Sequence, residues 1–187
     1  MRKTNLRPHI IDTAGALFAQ KGYGNVGINE ILKVGEIARA SFYHHFKSKE
    51  ALCAVWLETI HARSVEQHRD LLASKNPPQA ILIEYFEALK GWLVKNDFRG
   101  CPYTNTSTFL LNDVPQIRDA IATHKIFIRD FFIELAGRIR PGNATREFGE
   151  LLFLLYSGAT TEAQNLRATW PVDRATEAAQ RLSAENT

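Results

Sequence analysis

Ile28-Asn29-Glu30-Ile31-Leu32-Lys33-Val34, then Gly35-Glu36, then Ile37-Ala38-Arg39-Ala40-Ser41-Phe42-Tyr43-His44-His45-Phe46 reads as two short helices joined by a tight turn containing glycine. Phe42 and Phe46 stand four apart, so they share a helix face and are expected to turn inward with Ile31 and Ile37. The opposite face then carries Arg39, Tyr43 and Lys47 in one row, with Ala40 and His44 beside it. Donors and an aromatic ring on an outward face suit phosphate oxygens and base edges. This is the helix-turn-helix arrangement, in which the second helix lies in the major groove. Every helical hairpin has a polar outer face, so geometry alone leaves DNA binding and plain solvent exposure both open.

The chain around this stretch has 187 residues, of which 45% are hydrophobic and 23% charged. That is an ordinary globular composition and excludes a disordered or collagen-like chain. The longest fully apolar run, Leu151 to Tyr156, is far too short to cross a bilayer. Met1-Arg2-Lys3 leads into an amphipathic stretch containing Asp12, not a secretory hydrophobic region. Two cysteines do not make a disulfide framework, so a reduced, cytoplasmic protein without a membrane partner is expected. Residues 1–50 hold eight Lys/Arg against four Asp/Glu, whereas the whole chain has a net charge of only +3. The basic excess lies in the first quarter, as an anion-binding head on a neutral body would require.

The hydrophobic periodicity is helical nearly throughout, and the expected fold class is all-α. Ile10, Ile11, Ala14, Leu17 and Phe18 mark a first helix, capped by Thr4 or Asn5 and stopped at Gly22. The two short helices follow at Ile28–Val34 and Ala38–Phe46. Ser48 caps a fourth helix running towards Ala73, with Glu50 placed for the helix dipole. Further helices are expected at Gln79–Lys95, Cys101–Leu111, Pro115–Ile139, Ala144–Thr169 and Asp173–Ala184, with Pro171 as a stop. The expected division is a DNA-binding domain over residues 1–47 and an effector-binding and dimerisation domain over residues 48–187.

Leu17-Phe18-Ala19-Gln20-Lys21-Gly22-Tyr23, Ile31, and the run Ser41-Phe42-Tyr43-His44-His45-Phe46-Lys47-Ser48-Lys49-Glu50-Ala51-Leu52 together resemble the TetR family of bacterial transcriptional regulators. The motif covers about residues 6–52; beyond it, length and helix layout agree with the family. The resemblance implies a homodimeric repressor on a partly palindromic double-stranded DNA operator, with an effector-binding body behind each head. Position by position, it places Arg39, Ala40, Ser41, Tyr43 and His44 against DNA, and Lys49 near a phosphate at the start of the fourth helix; the exposed row adds Lys47. His45 fits packing or capping better. The chain departs from the pattern at Val26-Gly27 and Ala38, where Ser or Thr is common, at Ala40, and at Gly35, one place early. A lost hydroxyl cap typically costs about 1 kcal/mol.

In the body, Pro115–Ile139 is apolar around most of its girth, as a helix buried on two sides would be. The resemblance makes the last two long helices a dimer interface, for which Ile128, Phe131, Leu135, Leu152, Leu155 and Ala159 are candidates; an intramolecular core is the alternative. Gly158 permits close helix approach. Inward-facing candidates for an effector pocket are Trp56, Ile60, Gln67, Tyr85, Leu89, Trp92, Cys101, Tyr103, Asn105 and Phe109, whose aromatic walls suit a flat apolar molecule. Cys101 follows Arg99-Gly100 near a helix start, a setting that favours thiolate. Some regulators of this kind have Gly-Cys there, and in a subset the cysteine is modified by electrophiles or oxidants and DNA is released. The alternative is an inert thiol, which is also the expected state of Cys53.

His61 and His68, seven apart on one helix, lie about 10 Å from each other at 1.5 Å rise. That is too far for one ion without help, although His124 or Asp119 could in principle supply a third ligand; neither a metal nor another cofactor is expected. Nucleophile elbow, phosphate loop, dinucleotide fingerprint and metalloprotease motif are all missing from the sequence, so no enzyme is expected. The alternative to a DNA-binding regulator is a helical adaptor without DNA affinity.

Overall fold

The computed structural model describes residues 6–110 and 114–184, and these contain helices and turns only. The nine α-helices among them are α1 (Leu6–Lys21), α2 (Ile28–Val34), α3 (Arg39–His45), α4 (Lys49–Ala73), α5 (Pro78–Lys95), α6 (Pro102–Thr108), α7 (Pro115–Ile139), α8 (Thr145–Leu166) and α9 (Trp170–Ala184). A single 3-10 turn, Tyr23–Asn25, lies between α1 and α2 and was not expected. The expected caps Thr4 and Asn5, and the expected helix end at Leu111, lie outside the described residues. Pro171 does not stop a helix. It sits in the first turn of α9, where its missing N–H costs nothing. The stop comes earlier, at Arg167, which takes a left-handed conformation (φ 49°) and ends α8 at Leu166.

The chain packs as two compact units, Met1–Ser64 with Pro102–His124, and Val65–Cys101 with Lys125–Thr187. This division differs from one at residue 47, because α6 and the start of α7 pack with the head. In the first unit, Ile10, Ala14 and Phe18 of α1 meet Ile31, Phe42, Leu52 and Leu57 in one core. A methyl group on Gly15 would strike the Trp56 indole, 2.6 Å from its Cδ1, so only glycine lets that ring lie against α1. Tyr103 of α6 donates its hydroxyl to the Leu57 carbonyl of α4 at 3.0 Å.

In the second unit α9 packs on α5 and α8, and α7 completes the core through Phe131, Phe132 and Leu135. Ile128, Phe131, Leu135 and Leu152 are at most 3% exposed. Their side chains are therefore used within one chain, which corrects their assignment to a dimer interface. Gly149 is the close-approach glycine here, since a Cβ on it would lie 2.8 Å from the Ile133 backbone nitrogen, whereas one on Gly158 would meet nothing within 4 Å.

The turn that aims α3 is built like a helix C-cap. Gly35 ends α2 and Glu36 takes the left-handed conformation (φ 51°). The Ile37 N–H then returns to the Leu32 carbonyl at 2.9 Å. The glycine one place early leaves a side chain on the residue that must turn left-handed, at a cost of about 1–2 kcal/mol. Glu36→Gly is expected to raise the unfolding free energy by roughly 0.5–1 kcal/mol, the relief being partly offset by glycine's greater chain entropy, as read by urea denaturation.

Candidate nucleic-acid interface

Phe42 is fully buried and Phe46 nearly so, which fixes the rotation of α3 about its axis. Arg39, Ala40, Tyr43 and His44 consequently stand exposed along its other side, with Ser41 half-buried, and Lys47 is exposed just past its end. Tyr43 is 44% exposed and its ring meets Phe42 edge-on at 5.3 Å, so the phenol projects from a fixed base. The Arg39 guanidinium donates to Asn29 Oδ1 of α2 at 2.5 Å, which holds it across the two helices. Neither helix has a side-chain cap at its start: Gly27 and Ala38 occupy those positions, as the missing hydroxyls imply.

His9 and Lys49 fix the turn and the connector. His9 Nε2 lies 2.9 Å from the Gly35 carbonyl, tying α1 to the turn before α3. Lys49, expected near a phosphate, donates instead to the carbonyls of Tyr23 (3.1 Å) and Val26 (3.0 Å). Its ammonium also lies 4.3 Å from the Tyr23 ring centroid. Two of its three donors are used inside the head, so its role in this conformation is to clamp the connector between α1 and α2. Ser48 caps α4 as expected, its hydroxyl accepting from the Ala51 N–H at 3.1 Å. The Glu50 carboxyl is held below its usual pKa by a hydrogen bond from its own backbone N–H, against a smaller opposing effect of burial.

The residues expected to line an effector pocket are divided between the two units. In the first, Trp56 belongs to the head core, 5.4 Å edge-on from Phe18, and Phe109 is 42% exposed against Gly22 and Gly24. Tyr103 is buried, while Ile60 and Asn105 are half-buried. In the second, Leu89 is core, Gln67 is exposed, and Trp92 is 40% exposed on the outer side of α5. Trp56 and Leu89 are thus packed in cores, Gln67 and Trp92 stand at the surface, and Phe109 lines a groove with Tyr23, Gly24 and Lys49 in the first unit, because a helical repeat does not reveal which neighbour an aromatic face meets.

Tyr85, half-buried, hydrogen-bonds His68 Nε2 at 2.7 Å. Its phenol and that of Tyr156 are both pushed up, chiefly by burial, that of Tyr156 to about 12. Cys101 lies near enough to both phenols to add to this electrostatically. Cys101 itself is half-buried, whereas Cys53 is fully buried and its thiol is pushed up to about 12 by that burial.

The structure pairs His61 with His124 rather than His68. Their Nδ1 atoms are 3.3 Å apart, and the Tyr103 ring stacks on His124 with centroids 3.7 Å apart. Among the described residues no group of three or more His, Cys, Asp or Glu is placed to hold a metal ion, and no helix is long and apolar enough to cross a membrane.

A helix-turn-helix with a cationic, aromatic outer row has the arrangement of a DNA-binding regulator, and comparison with known proteins decides between that and plain solvent exposure. The family model "Bacterial regulatory proteins, tetR family" matches residues 10–54. The HTH-type transcriptional repressor NemR of Escherichia coli K12 is 27% identical over 177 residues, covering 90% of this chain and 89% of that protein. The repressor DhaR of Mycobacterium sp. strain GP1 is 24% identical over 93% of this chain and 90% of its own length. The fold is shared with the reduced form of E. coli NemR (TM-score 0.82, 23% identity, 94% and 96% covered). It is shared equally with SCO4454, a TetR-family regulator of Streptomyces coelicolor (TM-score 0.84, 22% identity, 96% of both chains). Residues 10–54 thus carry the DNA-binding segment of the TetR family, and over its length the chain is similar to regulators of transcription rather than to enzymes.

Burial lowers the pKa of His61 below the usual histidine value. The unfolded chain therefore takes up a proton first, so the stability contributed by neutral His61 is fully present above about pH 6.5 and is lost as pH falls towards the lower folded value. The thermal midpoint is expected to fall on acidification below about pH 6.5, and to fall less in His61→Gln, as read by differential scanning fluorimetry.

Proposed function

We propose that the protein is a dimeric repressor that places one α3 in each of two successive major grooves of an operator. The observation that carries this reading is the exposed row Arg39, Tyr43 and Lys47 opposite the buried Phe42 and Phe46. Guanidinium and ammonium groups supply phosphate and guanine contacts, and the Tyr43 phenol reaches a phosphate or a base edge. Ala40 and Ser41 are small enough to let the helix backbone approach, and His44 flanks the row. In this reading residues 1–47 read DNA and residues 48–187 carry the effector and dimer functions. The relatives NemR and DhaR, both named as repressors, support repression as the sign of control. Such a protein works in the cytoplasm, where its operator is.

The dimer surface follows from what one chain leaves uncovered. Leu151, Leu154 and Trp170 are 40%, 62% and 54% exposed on α8 and α9. With Leu155, Gly158 and Ala159 they line an apolar groove of about 420 Å³. Contiguous exposed apolar surface of this kind marks an interface, and the bare Gly158 lets a second helix approach closely. Leu155 and Ala159 thus stay with the dimer face.

Release from DNA is assigned to a small molecule held in the body or to modification of Cys101. Half-buried Cys101, beside two phenols, contrasts with the sealed Cys53, and the E. coli NemR structure is described as a reduced form.

Two outcomes are expected by fluorescence anisotropy on an operator selected from genomic DNA. Tyr43→Ala abolishes binding while circular dichroism and thermal midpoint stay at wild-type values; wild-type affinity in that variant would remove α3 from the interface. Stoichiometric alkylation releases the wild-type protein and leaves Cys101→Ser bound. If both stay bound after alkylation, the thiol is structural and the effector is a reversible ligand.

A further inference from the structure

The second half of α4 and the middle of α7 leave between them a groove of about 510 Å³ that none of the functions above uses. Val65 and Leu72 of α4 and Phe127 and Phe131 of α7 form its walls, and His68 is its floor. The floor is set rigidly. His68 is hydrogen-bonded to the Tyr85 hydroxyl at 2.7 Å and its ring meets Phe131 edge-on at 4.6 Å and Phe127 at 5.3 Å.

The charges at the rim are unequal. Asp130 is paired with Arg129 at 2.7 Å, and Glu134 with Arg138 at 2.7 Å. The Arg138 guanidinium also donates to the Leu72 carbonyl at 2.5 Å. Arg69 lines the same groove, is exposed, and makes no ion pair among the described residues. A concave apolar surface of this size with one uncommitted cation at its mouth matches a molecule with an apolar body and a single negative end.

We propose that the α4–α7 groove binds a medium-chain carboxylate, its alkyl chain along Leu72, Phe127 and Phe131 and its carboxylate on the Arg69 guanidinium. This rests on the reading of the body as the effector-binding part, and it names the class of effector. Direct binding is the readout, so it stands or falls separately from DNA binding and from Cys101.

The test is isothermal titration calorimetry of the full-length protein with decanoate and with its neutral counterpart, decanol. Decanoate is expected to bind, and Arg69→Gln to weaken it about tenfold while leaving decanol unchanged, the usual weight of one charge-assisted hydrogen bond. Ala73→Trp, which fills the groove from its exposed wall, is expected to abolish binding of both. The proposal is overturned if decanoate gives no heat, if Arg69→Gln weakens both ligands equally, or if Ala73→Trp leaves both bound. It is also overturned if Ala73→Trp splits a dimer in analytical ultracentrifugation, since the groove would then belong to a second chain.

Discussion

The burial of Phe42 is the constraint from which the DNA-binding surface follows. A seven-residue helix has too few internal hydrogen bonds to hold itself, so α3 exists because this ring and Phe46 are drawn into the core of α1, α2 and α4. Once the Phe42 ring is inside, a period of about 3.6 residues turns Arg39 and Tyr43 outward, with exposed Lys47 just past the helix end, and the Gly35–Glu36 turn with its His9 tie sets the angle at which they point. The missing hydroxyl caps at Gly27 and Ala38 shift still more of the work onto packing. In this head, local propensity is weak and tertiary burial decides.

The same reasoning explains why the head extends past its motif. Lys49 holds the α1–α2 connector by two carbonyls and a ring, and Phe109 covers Gly22 and Gly24 from the end of α6. A side chain at Gly24 would collide with the Phe109 ring, its Cβ 2.7 Å from Cδ1, and one at Gly22 would crowd it at 3.3 Å. The chain passes from the second unit to the first at the Cys101–Pro102 bond, and seven residues of helix later it lies on the connector that precedes α2. Modification proposed for Cys101 would therefore act at one end of a helix whose other end touches the DNA-binding head.

Much of this was legible in the residues. The helices, the Ser48 cap and the facing of α3 depend on spacings of three and four residues, which a sequence carries directly. What was not legible depends on which surfaces meet. Ile128, Phe131, Leu135 and Leu152 are apolar on helices that are apolar nearly all round, and nothing in the spacing separates core from interface. Gly149 and Gly158 lie nine residues apart on α8 and look alike as letters, yet one is pressed against Ile133 and the other is bare. Helix arithmetic separates His61 from His68 by about 10 Å, but spacing alone does not show that His61 lies against His124, 63 residues away. Lys49 carries the charge that a phosphate contact needs, and spends it on two carbonyls that no local pattern points to.

Backbone strain is concentrated beside Cys101. Asp97 and Phe98 are consecutive left-handed residues (φ 55° and 52°), and Gly100 follows at φ 66°. Non-glycine residues held this way cost of order 1–3 kcal/mol each and persist only where neighbours over-determine them. The supports include the Asp97, Phe98 and Arg99 N–H groups on the Val94, Leu93 and Asn96 carbonyls, the fit of Gly100 against the Gln164 side chain, and the exposed ion pair of Arg167 with Asp97. Arg167 is itself left-handed, so the strap is anchored at a second strained residue. Exposed pairs contribute little net stability, so the backbone hydrogen bonds and the packing of Gly100 are what hold these residues left-handed. A group added to the Cys101 sulfur, as proposed, would act directly beside this run of left-handed residues.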